Sequence, residues 1–346
     1  MENKILTIVV PCYNVEEFIE KCLSSIVNTD VLDLLEVLIV NDGSIDNSVY
    51  LARKFEADYP QTFRVIDKTN GGHGSTINIG IQKATAKYFM VLDGDDWINS
   101  EEFKKLVYNL SNIDVDLVSF HYTRVVNGEK ITIENNSRYF EYEKIYCFNK
   151  LNLKKMYFVL SSICYKTKIL KDCKLTLFEN MSYVDLQYII KPIVNINTVI
   201  FYNLNIYCYR LGHNNQSVNI NNMLDRYNQH DTIIKDLVLF YNHLNNISKE
   251  KKVYIMNVLL RVACTQYHLS LTHDPNLDRA IRNAQKFDQF LKDKNVILYK
   301  KLTRKIFLLR EVRKSGFNIR KYRNSWMLKL KNRVRDVTRS LVNKRS

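Results

Sequence analysis

Three carboxylates crowd into four residues at Asp93-Gly94-Asp95-Asp96, directly after the apolar run at 88–92. Like charges at that spacing repel, so such a cluster is tolerated if it is solvated, protonated or bound to a divalent ion. A solvated turn whose aspartates cap the next helix meets the first condition, and a metal site meets the third. A second acidic turn favours the metal, because Asn41-Asp42-Gly43-Ser44 follows the apolar run at 35–40 in the same way. A glycine-rich turn, Asn70-Gly71-Gly72-His73-Gly74-Ser75, leads into a helical pattern and offers backbone N–H groups to an anion. It lacks the Lys-Ser/Thr ending of a Walker loop and the spacing of a dinucleotide fingerprint. Glycines that only permit a tight connection would look the same.

The elements that must position these turns alternate. Strand patterns fall at 6–11, 35–40, 62–66, 88–92 and 116–120, with helical patterns at 16–28, 47–58, 75–85 and 100–110. This predicts an α/β fold, a mostly parallel sheet flanked by helices, in which ligands bind beyond the carboxyl ends of the strands. Cys12-Tyr13-Asn14, Asp42, the glycine turn and the acidic cluster all fall at that edge. Residues 121–220 are mixed, with a hairpin turn at Asn127-Gly128, a helical pattern opening at Ser182-Tyr183-Val184-Asp185-Leu186, and an apolar run at 198–209. From Asn222 the pattern is helical, with breaks near Ser248, Asp274-Pro275 and Gly316. The expected domains are therefore 1–221 and a helical extension, 222–346, ending in a tail at about 299–346.

With 346 residues, 46% of them apolar, the chain can build a sizeable core. Seven cysteines without a CxxC pair fit a reduced, cytoplasmic protein. No run approaches the roughly 18 apolar residues of a spanning helix, and the opening strand is too short for a signal peptide. The net charge of +15 lies wholly in residues 299–346, which hold 17 Lys or Arg against Glu311 and Asp336. There Trp326, Leu330, Val334, Val337 and Leu341 recur at helical spacing among basic residues. Such a helix predicts peripheral contact with the inner face of the cell membrane, or a helix packed on its own domain with a solvated basic face. Nucleic acid is not expected as a partner, because no RNA- or DNA-binding motif accompanies the charge.

Four motifs in order give the chain a family resemblance. Ile8-Val9-Val10-Pro11-Cys12-Tyr13-Asn14, Val40-Asn41-Asp42-Gly43-Ser44-Ile45-Asp46-Asn47-Ser48, Asn70-Gly71-Gly72 with Asn78-Ile79-Gly80-Ile81, and Asp93-Gly94-Asp95 resemble family 2 glycosyltransferases, inverting enzymes of the GT-A fold. Ile163-Cys164-Tyr165-Lys166 and Tyr207-Cys208-Tyr209-Arg210 resemble the family's later strands, and Val184-Asp185 stands where Glu-Asp is usual. The resemblance implies a UDP-sugar donor with its uracil bound by Asp42 in a pocket lined by Pro11 and Tyr13. It also implies Gly72 at the donor, Asp93 on ribose or metal, Asp95 on Mg²⁺ or Mn²⁺ at the diphosphate, and Asp185 as the base. Asp96, Trp97, Arg210 and His213 are candidate contacts to acceptor or diphosphate. The implied acceptor is a saccharide or a polyprenyl-phosphate-linked one, in bacterial cell-surface polysaccharide or wall-polymer synthesis.

Elementary chemistry agrees with these roles. A departing diphosphate gains negative charge that a divalent ion offsets, and an attacking hydroxyl needs a carboxylate within reach to take its proton. Two other classes predict different behaviour. A nucleotidyltransferase of related fold would carry a glycine-rich N-terminal loop with Arg or Lys, which Pro11-Cys12-Tyr13-Asn14 does not supply. A non-enzymatic basic scaffold would bind nucleic acid in a salt-sensitive way that ignores Asp95.

Overall fold

The computed structural model describes residues 4–134, 139–152, 156–212 and 219–323. The expected alternation is present as β1 (Leu6–Cys12), α1 (Ile19–Val27), β2 (Leu35–Asn41), α2 (Ser48–Asp58), β3 (Phe63–Asp67), α3 (His73–Lys83) and β4 (Tyr88–Val91). Then come β5 (Trp97–Ile98), α4 (Ser100–Ser111), β6 (Leu117–Val126), β7 (Glu129–Ile133), β8 (Ile145–Cys147), β9 (Ile163–Lys166), α5 (Thr167–Asp172), α6 (Asp185–Ile190) and β10 (Thr198–Leu211). Local sequence explains the boundaries. Asn99 caps α4 by accepting from the Glu102 N–H, with Glu101 and Glu102 in the positive first turn. Asn127 and Gly128, both at positive φ (50° and 88°), form the hairpin turn joining β6 to β7.

The sheet runs β3-β2-β1-β4-β9-β6-β10-β5, with β7 on β6 and β8 on β10. Its first four strands are parallel, as the alternation predicts. Beyond β4 the sheet is mixed: β9 lies antiparallel to both β4 and β6, while β10 runs parallel to β6. Apart from Thr7, Glu36 and the terminal Asn41, strands β1, β2 and β4 are apolar on both faces and largely buried, as a sheet covered on two sides requires.

The described residues divide into two compact units, 4–212 with 247–254, and 219–246 with 255–323. The division differs from the boundary expected at residue 221, because a short segment returns to complete the first unit. There the Tyr254 hydroxyl accepts from the Phe158 N–H (3.3 Å), and its ring meets Phe158 and Phe148 at 5.5 and 6.2 Å. Ser248 donates to Asn149 (2.6 Å), and the Lys251 ammonium to the Val194 carbonyl (2.8 Å).

The second unit is helical: α7 (Ile220–Asp225), α8 (Tyr227–Asn242), α9 (Lys249–His268, which begins in the first unit), α10 (Leu277–Lys294), α11 (Val296–Lys305), α12 (Phe307–Lys314) and α13 (Ile319–Arg323). Asn276 caps α10 just after the predicted break at Asp274-Pro275. A buried Asp288 accepts from Tyr267 (2.7 Å) and pairs with Arg313. No helix among the described residues is long and apolar enough to cross a membrane. The amphipathic pattern around Trp326 lies outside the described residues.

Candidate active site

The loops after β1 and β2 are knitted together. The Asp42 N–H donates to the Cys12 carbonyl (2.9 Å), the Val15 N–H to Ser48 Oγ (2.8 Å) and the Ile45 N–H to Asn14 Oδ1 (3.0 Å). Pro11 is partly exposed, and the Tyr13 ring is 50% exposed at the end of β1.

Asp42 is 2% exposed and already engaged on both oxygens. Its Oδ1 accepts from Lys68 Nζ (2.6 Å), the Gly71 N–H (2.9 Å) and Ser75 Oγ (3.3 Å), and its Oδ2 from the Gly72 N–H (2.7 Å). Asp42 thus pins the glycine turn, accepting from the N–H groups of both Gly71 and Gly72. The negative charge at the start of α3 complements the helix dipole.

The acidic cluster closes β4 with a defined inside and outside. Asp96 is 1% exposed; its Oδ2 accepts from the Tyr207 hydroxyl and its Oδ1 from the Arg210 N–H, both at 2.7 Å. The Tyr207 hydroxyl in turn accepts from the Asp93 N–H (3.1 Å). Burial, then the charges of Asp95 and Asp93, push the Asp96 carboxyl well above its ordinary range. Asp96 therefore fastens β10 to the turn. Asp93 and Asp95 remain partly open to solvent. Trp97 lies half-buried beside them, with the Arg210 guanidinium 4.9 Å from its ring and 4.6 Å from Phe18, and Arg210 Nε donating to the Asp95 carbonyl (2.9 Å).

His73, the first residue of α3, joins this cluster although nothing in its spacing marks it. Its Nε2 lies 2.8 Å from Asp93 Oδ1. Burial opposes the imidazolium, but Asp93, Asp185 and Asp95 surround it and raise its pKa overall. Asp185 arrives at the same place from the start of α6. The carrier is the loop 177–180, docked on α3: Asn78 pairs both ways with the Leu177 backbone (2.8 and 2.9 Å), and the Asn180 N–H donates to the Gly71 carbonyl (2.6 Å). Gly74 makes the docking possible, since a Cβ there would meet the Phe178 carbonyl oxygen at 2.1 Å. Val184, where an acid was expected, is buried.

Electrostatics single out two carboxyls. Asp95 is raised from 3.8 to about 6 by burial, then by the charge of Asp93. Asp185 is also raised, by burial first and by Asp93, with His73 working the other way. Among the described residues no three His, Cys, Asp or Glu side chains are grouped to hold a metal on their own. Asp93 and Asp95 nevertheless fit a hard cation that brings oxygen ligands of its own, because Mg²⁺-type ions are commonly held by one or two carboxylates plus substrate phosphates.

With this geometry described, the relatives are informative. Residues 7–173 match the model of glycosyl transferase family 2. The chain carries a family 2 glycosyltransferase domain. The chain is 38% identical over 114 residues to the uncharacterised glycosyltransferase EpsJ of Bacillus subtilis, a match spanning 33% of each chain. It is 28% identical over 283 residues to an uncharacterised glycosyltransferase of Mycoplasma pneumoniae, covering 78% of this chain and 89% of that one. In fold it resembles S. aureus TarS in complex with UDP-GlcNAc, with a TM-score of 0.68 and 20% identity over 92% of this chain and 89% of that one. The glycosyltransferase domain thus has the GT-A fold. Pro11, Tyr13, Asp93, Asp95, Trp97, Asp185 and Arg210 all lie in the first unit. His213 lies outside the described residues.

Proposed function

We propose that the chain transfers a sugar from a UDP-linked donor, with inversion, to a saccharide or lipid-linked acceptor in bacterial surface-polymer assembly. The observation that carries this reading is the convergence of Asp93, Asp95, His73 and Asp185, from three separate elements, at the carboxyl edge of a family 2 domain. Pro11 and Tyr13 flank the base, with Asp42 acting behind them as the anchor of the glycine turn. Asp95, with Asp93, would hold Mn²⁺ or Mg²⁺, which supplies positive charge to the leaving diphosphate. His73 fixes the Asp93 carboxylate through its 2.8 Å contact. Asp185 takes the proton of the attacking hydroxyl, and its raised affinity for protons suits a base working near neutral pH. TarS, whose structure holds UDP-GlcNAc, supports the choice of a uridine nucleotide.

The thermal midpoint of the full chain with UDP, GDP or dTDP, each with and without Mn²⁺, tests the donor class. UDP at about 100 times its dissociation constant should add roughly 2.7 kcal/mol of stability, dependent on Mn²⁺ and lost in Asp95→Ala. Release of pyrophosphate from UTP and a sugar phosphate would instead establish nucleotidyl transfer.

A further inference from the structure

The sheet register gathers a group of cations beside the proposed site, of which only Arg210 has been named above. Lys130 on β7 pairs with Val125 on β6, and Val125 pairs with Arg210 on β10, so Lys130 and Arg210 project from the same face two strands apart. Cys208, two residues before Arg210 and so on that face, pairs with Trp97 on β5. Helix α1 lays Lys21 over the Trp97 ring, its ammonium 3.4 Å from the ring centre. Lys21 and Lys130 are both exposed, and neither forms an ion pair among the described residues. The pKa of Lys21 is lowered, by burial and then by the nearby charges of Arg210 and Lys130. Two cations flank one indole, and a third, Lys130, adds its charge from the same sheet face; such a group gains most from a ligand that brings negative charge and a ring or chain to lie on the tryptophan.

We propose that Lys21 and Arg210, flanking Trp97, together with Lys130 on the same sheet face, form an acceptor subsite for a phosphate group, so that the acceptor itself is phosphate-bearing. This rests on the glycosyltransferase reading and deepens it. The donor diphosphate belongs with Asp93 and Asp95. The lysines extend the charge away from those carboxylates, toward Cys208 and the β6–β7 hairpin. The phosphate arrives either in a soluble polyol-phosphate chain or in a polyprenyl-phosphate lipid, and both offer the same chemistry to the lysines.

Trp97 is one of two tryptophans, so in the full chain carrying Trp326→Phe its fluorescence reports this subsite alone. The probes are a short glycerol-phosphate oligomer, and phosphatidylcholine vesicles with and without polyprenyl phosphate. At low salt, one of the two phosphate probes should shift Trp97 emission saturably. Lys21→Glu with Lys130→Glu should weaken that binding about tenfold or more, while the UDP and Mn²⁺ thermal shift is retained. A response to the oligomer assigns the soluble source, and a response confined to polyprenyl-phosphate vesicles assigns the lipid. Unchanged affinity in the charge-reversed chain, or no response to either phosphate probe, overturns the proposal. Loss of the UDP shift in that variant also overturns it, by placing the lysines at the donor. If the natural chain shows no UDP shift but still binds the oligomer through the lysines, the donor assignment fails and the phosphate subsite stands.

Discussion

Removing the charge of Asp95 and of Asp185 tests two different roles. Without metal, the folded-state pKa of Asp95 is about 6, above the unfolded 3.8. The fold therefore binds this proton better than the unfolded chain does, and the stability so gained is present below about pH 4 and lost as pH rises through 6. Asp95→Asn should accordingly stabilise the metal-free protein at pH 8 by about 1–2 kcal/mol, once partial solvent access is allowed for. Melting curves taken from pH 4 to 8 should show the gain vanish toward the acid end, and the same variant should lose Mn²⁺-dependent UDP binding. Asp185 must be ionised to act as a base, so transfer should fall on the acid side with a midpoint above the ordinary aspartate range, as its raised pKa requires. Asp185→Asn should cost about 10²–10⁴-fold in kcat and remove that acid limb. Equal pH profiles for the two chains would reassign the base. At this scale the acidic motifs were legible, since three carboxylates in four residues are conspicuous in any sequence. The inward turn of Asp96 was not, because it depends on Tyr207 and Arg210 more than a hundred residues later.

Among the elements, the parallel half of the sheet could be read directly because each strand-helix repeat is local and carries its own hydrophobic period. The antiparallel β9 shows why the rest could not. Its four residues are inserted between β4 and β6, and a short apolar run gives no indication of its neighbours. The contact between α3 and the loop 177–180 is equally hidden, though it brings Asp185 to His73. Gly74→Ala should force the two apart and destabilise the domain by roughly 1–3 kcal/mol. Asn78→Ala leaves the space intact but removes two hydrogen bonds to Leu177, with an expected cost of about 1–2 kcal/mol. Both should lower kcat more than they weaken UDP binding, because Asp185 shifts while the nucleotide pocket stays. Hydrogen exchange at Leu177 and Asn180 would locate the loosening.

For the whole molecule, the sequence placed a boundary at residue 221, where the helical pattern begins, but packing does not follow that pattern. The segment 247–254 belongs with the sheet, and Tyr254 is fully buried in its aromatic cluster. A chain ending at 221 should therefore fail to give a cooperative donor-dependent melt. Tyr254→Ala in the full chain should cost about 3–5 kcal/mol, and Tyr254→Phe, which keeps the ring, only about 1 kcal/mol. Equal donor-dependent melts for the short and full chains would show that the return segment is dispensable.

The return segment also sets an order of events during synthesis. A ribosome that has finished β10 has not yet made Tyr254, and at roughly 5–20 residues per second the stretch from 214 to 254 takes about 2–8 s to add. For that interval Phe148 and Phe158 wait without the ring that will cover them. The nascent sheet is then a natural client for a chaperone, and slow codons after residue 213 would lengthen its exposure.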